Sequence, residues 1–464
     1  MSAPMNPDTL QAHWRQRDLD ALWHPCTQMR EHHSGELPLV PIRRGQGVWL
    51  EDFAGRRYLD AVSSWWTNLF GHAEPRIGAA IGAQALELEQ VILAGFSHAP
   101  AIELAEELLR IAPRADSSAP LAKVFFADNG SAGVEVALKM SFHSHRNRGD
   151  ERRTRFIALS NSYHGETLGA LAVSDIPLYR RIYAPLLLTP LFTPSPDAWY
   201  AQSGESAQDC AERAAQALQA LLEREGDSVC ALILEPLVQC AGGMRMYHPH
   251  YLKRARELCT RFGVHLIADE IAVGFGRSGS LFACEQADIA PDLMCVSKGL
   301  TGGFLPLAAV LATQHIYEAF LDDSRERAFL HSHSYTGNPL ACAAARATLD
   351  IFRSEPVLER NRHTAARMAA LAAPLAEHPN VAEVRQTGMI LALELVADRR
   401  SRAPLPAAQR GGLRAYRHAL AHGVLLRPLG DVLYWMPPYC IDETALQKLA
   451  EVTAGAIEAA VEGL

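Results

Sequence analysis

The sequence predicts an α/β protein, with a large domain on a mostly parallel sheet and a smaller α+β domain assembled from both chain ends. Three observations lead there. Short runs around Phe156 to Leu159, Ala231 to Glu235 and Val264 to Asp269 are apolar without alternation, as strands covered on both faces are. Helical stretches, several of them Ala-rich, lie between such runs, as parallel crossovers require. Several runs end at a turn holding a charged group or glycines, which is where ligands bind in open sheets.

Taken in order, Thr9 to Leu22 reads as a short helix leading into Trp23-His24-Pro25-Cys26-Thr27. Val48 to Leu59 reads as a β-hairpin that delivers the chain to Ser63-Ser64-Trp65-Trp66. If that stretch is extended, its adjacent tryptophans face opposite ways, one into the core and one into a cavity. Lys123 to Ala127 is a strand, and Asp128-Asn129-Gly130-Ser131 turns it into a helix through about Ser141. Backbone N–H groups and a hydroxyl at a helix start suit a phosphate, although the same residues would serve as a plain N-cap.

Phe156 to Leu159 is followed by Asn161-Ser162-Tyr163-His164-Gly165-Glu166-Thr167, and the stretch from about Pro185 to Asp227 reads as a surface excursion plus a crossover helix. The strand Ala231 to Glu235 leads to Pro236-Leu237-Val238-Gln239. Ala308 to Leu311 is another strand, and Asn338-Pro339 are good N-cap and N1 residues for a helix to Ile351. Beyond Ser354, helices alternate with strands at Met389 to Leu395 and Val432 to Met436. The expected division is a small domain from residues 1–70 and 354–464 and a large domain from 71–353.

The chain is organised around Val264 to Gly303, where one strand ends in Asp269-Glu270 and the next in Ser297-Lys298. A lysine among apolar neighbours has a depressed pKa and can condense with an aldehyde, while a nearby aspartate can keep a pyridine nitrogen protonated. That combination describes a pyridoxal phosphate site. A capping aspartate and a solvated lysine fit the two residues alone, so the wider pattern has to decide. Gly274-Phe275-Gly276-Arg277-Ser278-Gly279 spells GxGxxG, but Leu281 to Glu285 makes a poor helix start and the next strand ends in Ser297-Lys298, so nicotinamide binding is not expected.

With 464 residues, 48% of them apolar, the chain can bury a large core. A net charge of −8 without a long basic run argues against a nucleic-acid partner. Nine scattered cysteines without a CxxC read as reduced core thiols, and no stretch has the length of a membrane span, so a cytoplasmic location is expected. His331-Ser332-His333 and His248-Pro249-His250 lack accompanying ligand spacing, and no metal site is expected.

The segments LILEP, LIADEIAVGFGRSG and SKGLTGG, in this order, resemble the class III aminotransferases of the fold-type I pyridoxal phosphate enzymes, and the matching motifs run from Trp23 to Gly430. The resemblance implies that Lys298 carries the cofactor and moves the proton, Asp269 stabilises the pyridinium, and Gly130 and Ser131 hold phosphate. NSYHGET is similar to the family's NGYHG(D/E)T, so Tyr163 should stack on the ring, a contact worth about 1 kcal/mol beyond area. Glu235 and Gln239 are carried over to the cofactor's reactive edge.

WHPCT and SSWW resemble a branch of the family that acts in biotin biosynthesis, with Trp65 touching substrate and Arg427, in LLRPLG, gripping a carboxylate. Cys26 stands where that branch has a tyrosine, and Ser332-His333-Ser334 where many members have Gly-Pro-Thr. By position, His333 and Ser334 reach a partner subunit's cofactor phosphate and Ser332 lies near substrate, which implies a homodimer with its active site at the interface. The implied reaction converts 8-amino-7-oxononanoate to 7,8-diaminononanoate, with S-adenosylmethionine as first choice of amino donor and lysine as the alternative. An ω-amino acid:pyruvate aminotransferase is the runner-up, against which SSWW and the WHP segment argue. A pyridoxal phosphate regulator would need a helix-turn-helix, and none precedes Trp23.

Overall fold

The computed structural model describes residues 6–116 and 118–464. Residues 1–5, which open the expected N-terminal segment, lie outside the described residues. Contacts group the chain into two units: one comprises the N-terminal part through Glu74 with His363–Gln386 and Ile390–Leu464, the other Pro75–Arg362 with Thr387–Met389.

The larger unit is built on a seven-stranded sheet in the order Leu121–Ala127, Ala308–Thr313, Leu293–Val296, His265–Asp269, Val229–Leu234, Arg155–Leu159, Leu191–Thr193. Ala308–Thr313 is antiparallel to both its neighbours, and the other pairings are parallel, so one strand alone runs against the rest. Every residue of Val229–Leu234 is buried, which is why that run is apolar throughout. The edge strand Leu191–Thr193 falls inside the stretch expected to be a surface excursion. With three residues after a proline it is too short to carry a pattern.

Helix Gly130–Asn147 starts where expected, because Asn129 Oδ1 accepts from Ala132 N at 3.0 Å, and it runs past Ser141 to Asn147. Its Val134, Val136 and Leu138 join Ile233, Ile267, Cys295 and Val310 in one buried core. Each such side chain contributes roughly 1.5–3 kcal/mol when fully buried. The helix start is thereby fixed against the strands that carry Asp269 and Lys298. All nine cysteines are free thiols, seven of them buried.

The smaller unit holds a four-stranded sheet, Ile42–Gln46, Trp49–Asp52, Arg57–Asp60 and Val424–Leu425, with a three-stranded one, Val381–Thr387, Ile390–Leu395 and Val432–Trp435. Trp49–Asp52 and Arg57–Asp60 form the expected hairpin. The Ser63–Trp66 stretch is not extended. Its four residues all take positive φ, at 50°, 49°, 91° and 71°, a left-handed turn in which Trp66 is buried and Trp65 is 42% exposed. The two rings do part company, but by this turn rather than by strand alternation. Among the described residues no helix is long and apolar enough to cross a membrane.

Candidate active site

Two neighbouring parallel strands bring the central acid and lysine to one end of the sheet. Asp269 lies in register with Cys295, and Lys298 follows just past that level. Lys298 sits in the left-handed region at φ 41°, a conformation a non-glycine residue holds only when its surroundings impose it. Burial lowers its amine pKa, with the Asp269 charge pulling the other way. More of the amine is therefore neutral and nucleophilic than in water.

Asp269 is 4% exposed. Its Oδ1 accepts from Ile271 N at 3.1 Å and its Oδ2 lies 2.7 Å from His164 Nδ1. A carboxylate only accepts, so Nδ1 carries the hydrogen of this bond. The ring's Nε2 is buried and has no hydrogen-bond partner. His164, within the Asn161–Thr167 motif, is a member of the site beyond the residues expected from the sequence. A histidine beside glycine in the turn after a buried strand was the available signal.

The Tyr163–His164 turn is held on several sides. Tyr163 N donates to Glu235 Oε2 at 3.0 Å, and His164 N donates to Ser174 Oγ at 2.9 Å. The other Glu235 oxygen accepts from Cys240 N at 3.0 Å. Burial first, and the Asp269 charge second, push the Glu235 carboxyl well above the usual carboxylate range. Gln239 accepts from Ser195 Oγ at 2.6 Å and donates to Ser160 O at 2.9 Å. Glu235 and Gln239, expected at a cofactor edge, thus bind the protein's own groups and brace the Tyr163 loop. The Tyr163 ring is half-buried, and its phenol donates to Glu166 Oε1 at 3.0 Å.

At the start of helix Gly130–Asn147, Ser131 Oγ accepts from Thr167 N at 3.0 Å and lies 2.8 Å from Thr167 Oγ1. Gly165, at φ 126°, leaves no room for a Cβ, which would come 2.3 Å from Ser131 Oγ. A Cβ at Gly130 would likewise press on the Ile271 side chain at 3.1 Å. Two hydroxyls and the positive end of a helix therefore meet in a tight cradle next to the exit of the Asp269 strand. The residues fit pyridoxal phosphate part by part: this cradle suits its phosphate, Asp269 with His164 its pyridine nitrogen, and Lys298 its aldehyde.

Two further groups of expected site residues each line a cavity within their own unit. Ser332, His333 and Ser334 line one in the larger unit, with Leu93, Phe125 and Phe126. Trp65 and Arg427 meet in the smaller unit, the guanidinium carbon 4.8 Å from the ring centroid. They line a cavity of about 300 Å³ with Pro25, Tyr58, Tyr416 and Leu425. Cys26 is exposed, at φ 52°. The Gly274–Gly279 loop, with its dinucleotide-like spelling, is a series of turns. Glu270 closes it, accepting from Ala283 N at 3.0 Å and Cys284 N at 2.9 Å.

Comparison with known proteins identifies the family. The sequence profile described as "Aminotransferase class-III" matches residues 30–457. The chain is 45% identical over 447 residues to the adenosylmethionine-8-amino-7-oxononanoate aminotransferase of Helicobacter pylori, covering 95% of this chain and 96% of that one. It is 43% identical to the enzyme of the same name from Geobacter sulfurreducens, covering 94% and 95%. Among solved structures, that of the like-named enzyme from Methanocaldococcus jannaschii has a TM-score of 0.89 at 36% identity, covering 96% of this chain and 99% of that one. An omega transaminase from Pseudomonas jessenii in complex with PMP has a TM-score of 0.91 at 30% identity, covering 97% and 98%.

Proposed function

The chain belongs to the class-III aminotransferases and is a pyridoxal-phosphate-dependent enzyme, and from that premise we propose that it aminates 8-amino-7-oxononanoate to 7,8-diaminononanoate, with S-adenosylmethionine as donor. One observation carries the reading: Lys298 and Asp269 stand at neighbouring strand ends in a chain 45% identical to an enzyme named for that keto acid. The omega transaminases match the fold as well, but at 30% identity, which favours the keto acid over an ω-amino acid:pyruvate reaction.

Bound pyridoxal phosphate supplies an aldehyde and an electron-withdrawing ring. The protein's own residues do the rest. Ser131, Gly130 and the first turn of their helix hold the phosphate. The Asp269 carboxylate, oriented by the His164 Nδ1–H, keeps a negative charge where a protonated ring nitrogen needs it. Tyr163 covers one face of the ring and so excludes water from it. Lys298 Nζ, more often neutral than in water because burial lowers its pKa, would pass the proton of the donor's amine-bearing carbon to the cofactor's former aldehyde carbon in the first half of the reaction, and would carry a proton the opposite way, to the keto acid's former carbonyl carbon, in the second. Arg427 pairs its planar fork with the keto acid's carboxylate, and Trp65 walls the same subsite.

The proposal extends to a cytoplasmic homodimer in which His333 and Ser334 serve the partner's phosphate and Ser332 lies near substrate. The deciding experiment mixes cofactor-loaded enzyme with S-adenosylmethionine and with lysine in parallel single-turnover reactions. Amine transfer from S-adenosylmethionine alone supports the reading. Transfer from lysine alone reassigns the donor, and failure of the aminated enzyme to pass its amine to 8-amino-7-oxononanoate removes the acceptor.

A further inference from the structure

The left-handed turn that presents Trp65 is a conformation its residues do not choose. Four consecutive non-glycine residues with positive φ, at 50°, 49°, 91° and 71°, persist only where the surroundings over-determine them. The source of that constraint lies in the smaller unit, directly beneath the turn. Asp60, fully buried at the end of strand Arg57–Asp60, accepts four hydrogen bonds. Oδ1 takes Val62 N at 3.3 Å and Ser64 N at 2.9 Å. Oδ2 takes Ser64 Oγ at 2.7 Å and His72 Nε2 at 2.9 Å.

His72 is itself immobilised. Its backbone forms a two-way bridge with Gly47, at 3.0 Å and 2.7 Å. Its ring rests on Gly45, where a Cβ would come within 2.7 Å of the His72 side chain, and its Nδ1 lies 3.2 Å from Asn68 Nδ2. The far side of the turn is tied by Ser63 Oγ, which donates to Met436 O at 2.7 Å. Asp60 is also the register partner of Leu425 in the parallel pair that sends the chain on to Arg427. One carboxylate therefore sits at the root of both the Trp65 turn and the strand pair leading to Arg427.

We infer that Asp60, oriented by His72, is a positioning residue for the keto-acid subsite: it holds the Ser63–Trp66 turn in its left-handed form and so keeps the Trp65 ring against Arg427. The inference rests on the reading of Trp65 and Arg427 as keto-acid contacts. Asp60 reaches the substrate only through Trp65. Its removal weakens capture of the keto acid and leaves the proton transfer at Lys298 at its normal rate.

The test is a cycle of Asp60→Asn, Trp65→Ala and the double variant in the cofactor-loaded enzyme. Its readouts are the calorimetric affinity for 8-amino-7-oxononanoate and the split between KM and kcat. D60N is expected to weaken affinity about tenfold with kcat changed less than about threefold, and in the W65A background D60N costs nothing further. If W65A leaves affinity unchanged, the placement of Trp65 falls and the inference with it. If W65A weakens binding while D60N does not, or if the two losses add, the role of Asp60 alone is overturned. Should D60N fail to fold, His72→Gln replaces it in the same cycle, because it removes the imidazole and leaves the carboxylate bonds to Val62 and Ser64. A pair of H72Q and W65A losses that overlap supports the inference, and a pair that adds overturns it.

Discussion

In the larger unit, the Asp269 carboxylate, both Glu235 oxygens and both polar ends of Gln239 have fixed partners within the protein, and helix Gly130–Asn147 is locked to the sheet by a continuous core. In the smaller unit, Trp65 is 42% exposed and meets an exposed Arg427 through a cation–π contact, on a turn tied by the Asp60 carboxylate and by the bond from Ser63 Oγ to Met436 O. The difference suits the chemistry proposed for each region. A group that must tune a pKa works best away from water, with its geometry set before substrate arrives. A group that only captures a flexible acid can stay wet, since a charge-assisted bond forms and breaks as substrate comes and goes.

The comparison breaks most visibly at Lys298. Lys298→Ala is expected to lower turnover on the order of 10⁴-fold or more, while the cofactor stays bound and the lysine-dependent visible absorbance is lost. Retained turnover would take Lys298 out of the chemistry. Asp269→Asn keeps the shape of the buried pair with His164 but deletes its charge, so kcat should fall about a hundred- to a thousandfold. Steady-state kinetics with cofactor content measured alongside checks this. An effect on cofactor retention alone, with kcat per bound cofactor unchanged, would reduce Asp269 to an anchor.

The two regions also differed in how far the sequence disclosed them. The strand that carries Asp269 and the one that leads to Lys298 are buried, so their apolar runs and charged exits were readable, and their parallel pairing was expected from them. The helix start after Asp128-Asn129 was readable from the turn residues themselves. What escaped depends on residues far apart in the chain. Nothing in SSWW announces a left-handed turn, because Asp60, His72 and Met436 impose it. The partners of Glu235, Tyr163 N and Cys240 N, become visible only once the strands are assembled. Three residues at Leu191–Thr193 are too few for any period to show.

A smaller effect sharpens the buried side of the comparison. Glu270 is fully buried, and burial raises its pKa from 4.5 to about 7, against the two backbone N–H bonds it accepts. Because the folded state holds this proton more tightly than the unfolded one, the associated stability is fully present below pH 4.5 and is lost as the pH rises through about 7. The rise corresponds to on the order of 3 kcal/mol. Glu270→Gln cannot ionise, so its stability relative to the parent should improve by about that amount between pH 4.5 and pH 8, as read from denaturant unfolding at both values. A constant difference across that range would mean that the carboxyl ionises freely in the fold.

The exposed side should answer in a different quantity. Arg427→Ala removes one charge-assisted bond of about 1.5–3 kcal/mol, so affinity for the keto acid should fall roughly ten- to a hundredfold. If the guanidinium touches only the substrate's far end, as proposed, kcat at saturation should stay within about a factor of three, and lysine or S-adenosylmethionine should still aminate the cofactor at whatever rate the parent enzyme allows. The loss should shrink as ionic strength rises, since an exposed charge pair is screened within about 10 Å at 0.1 M salt. An unchanged KM would move the carboxylate site away from Arg427. A fall in kcat matching the fall in affinity would mean that this wet subsite helps set the geometry at Lys298, and the contrast between the two regions would then fail.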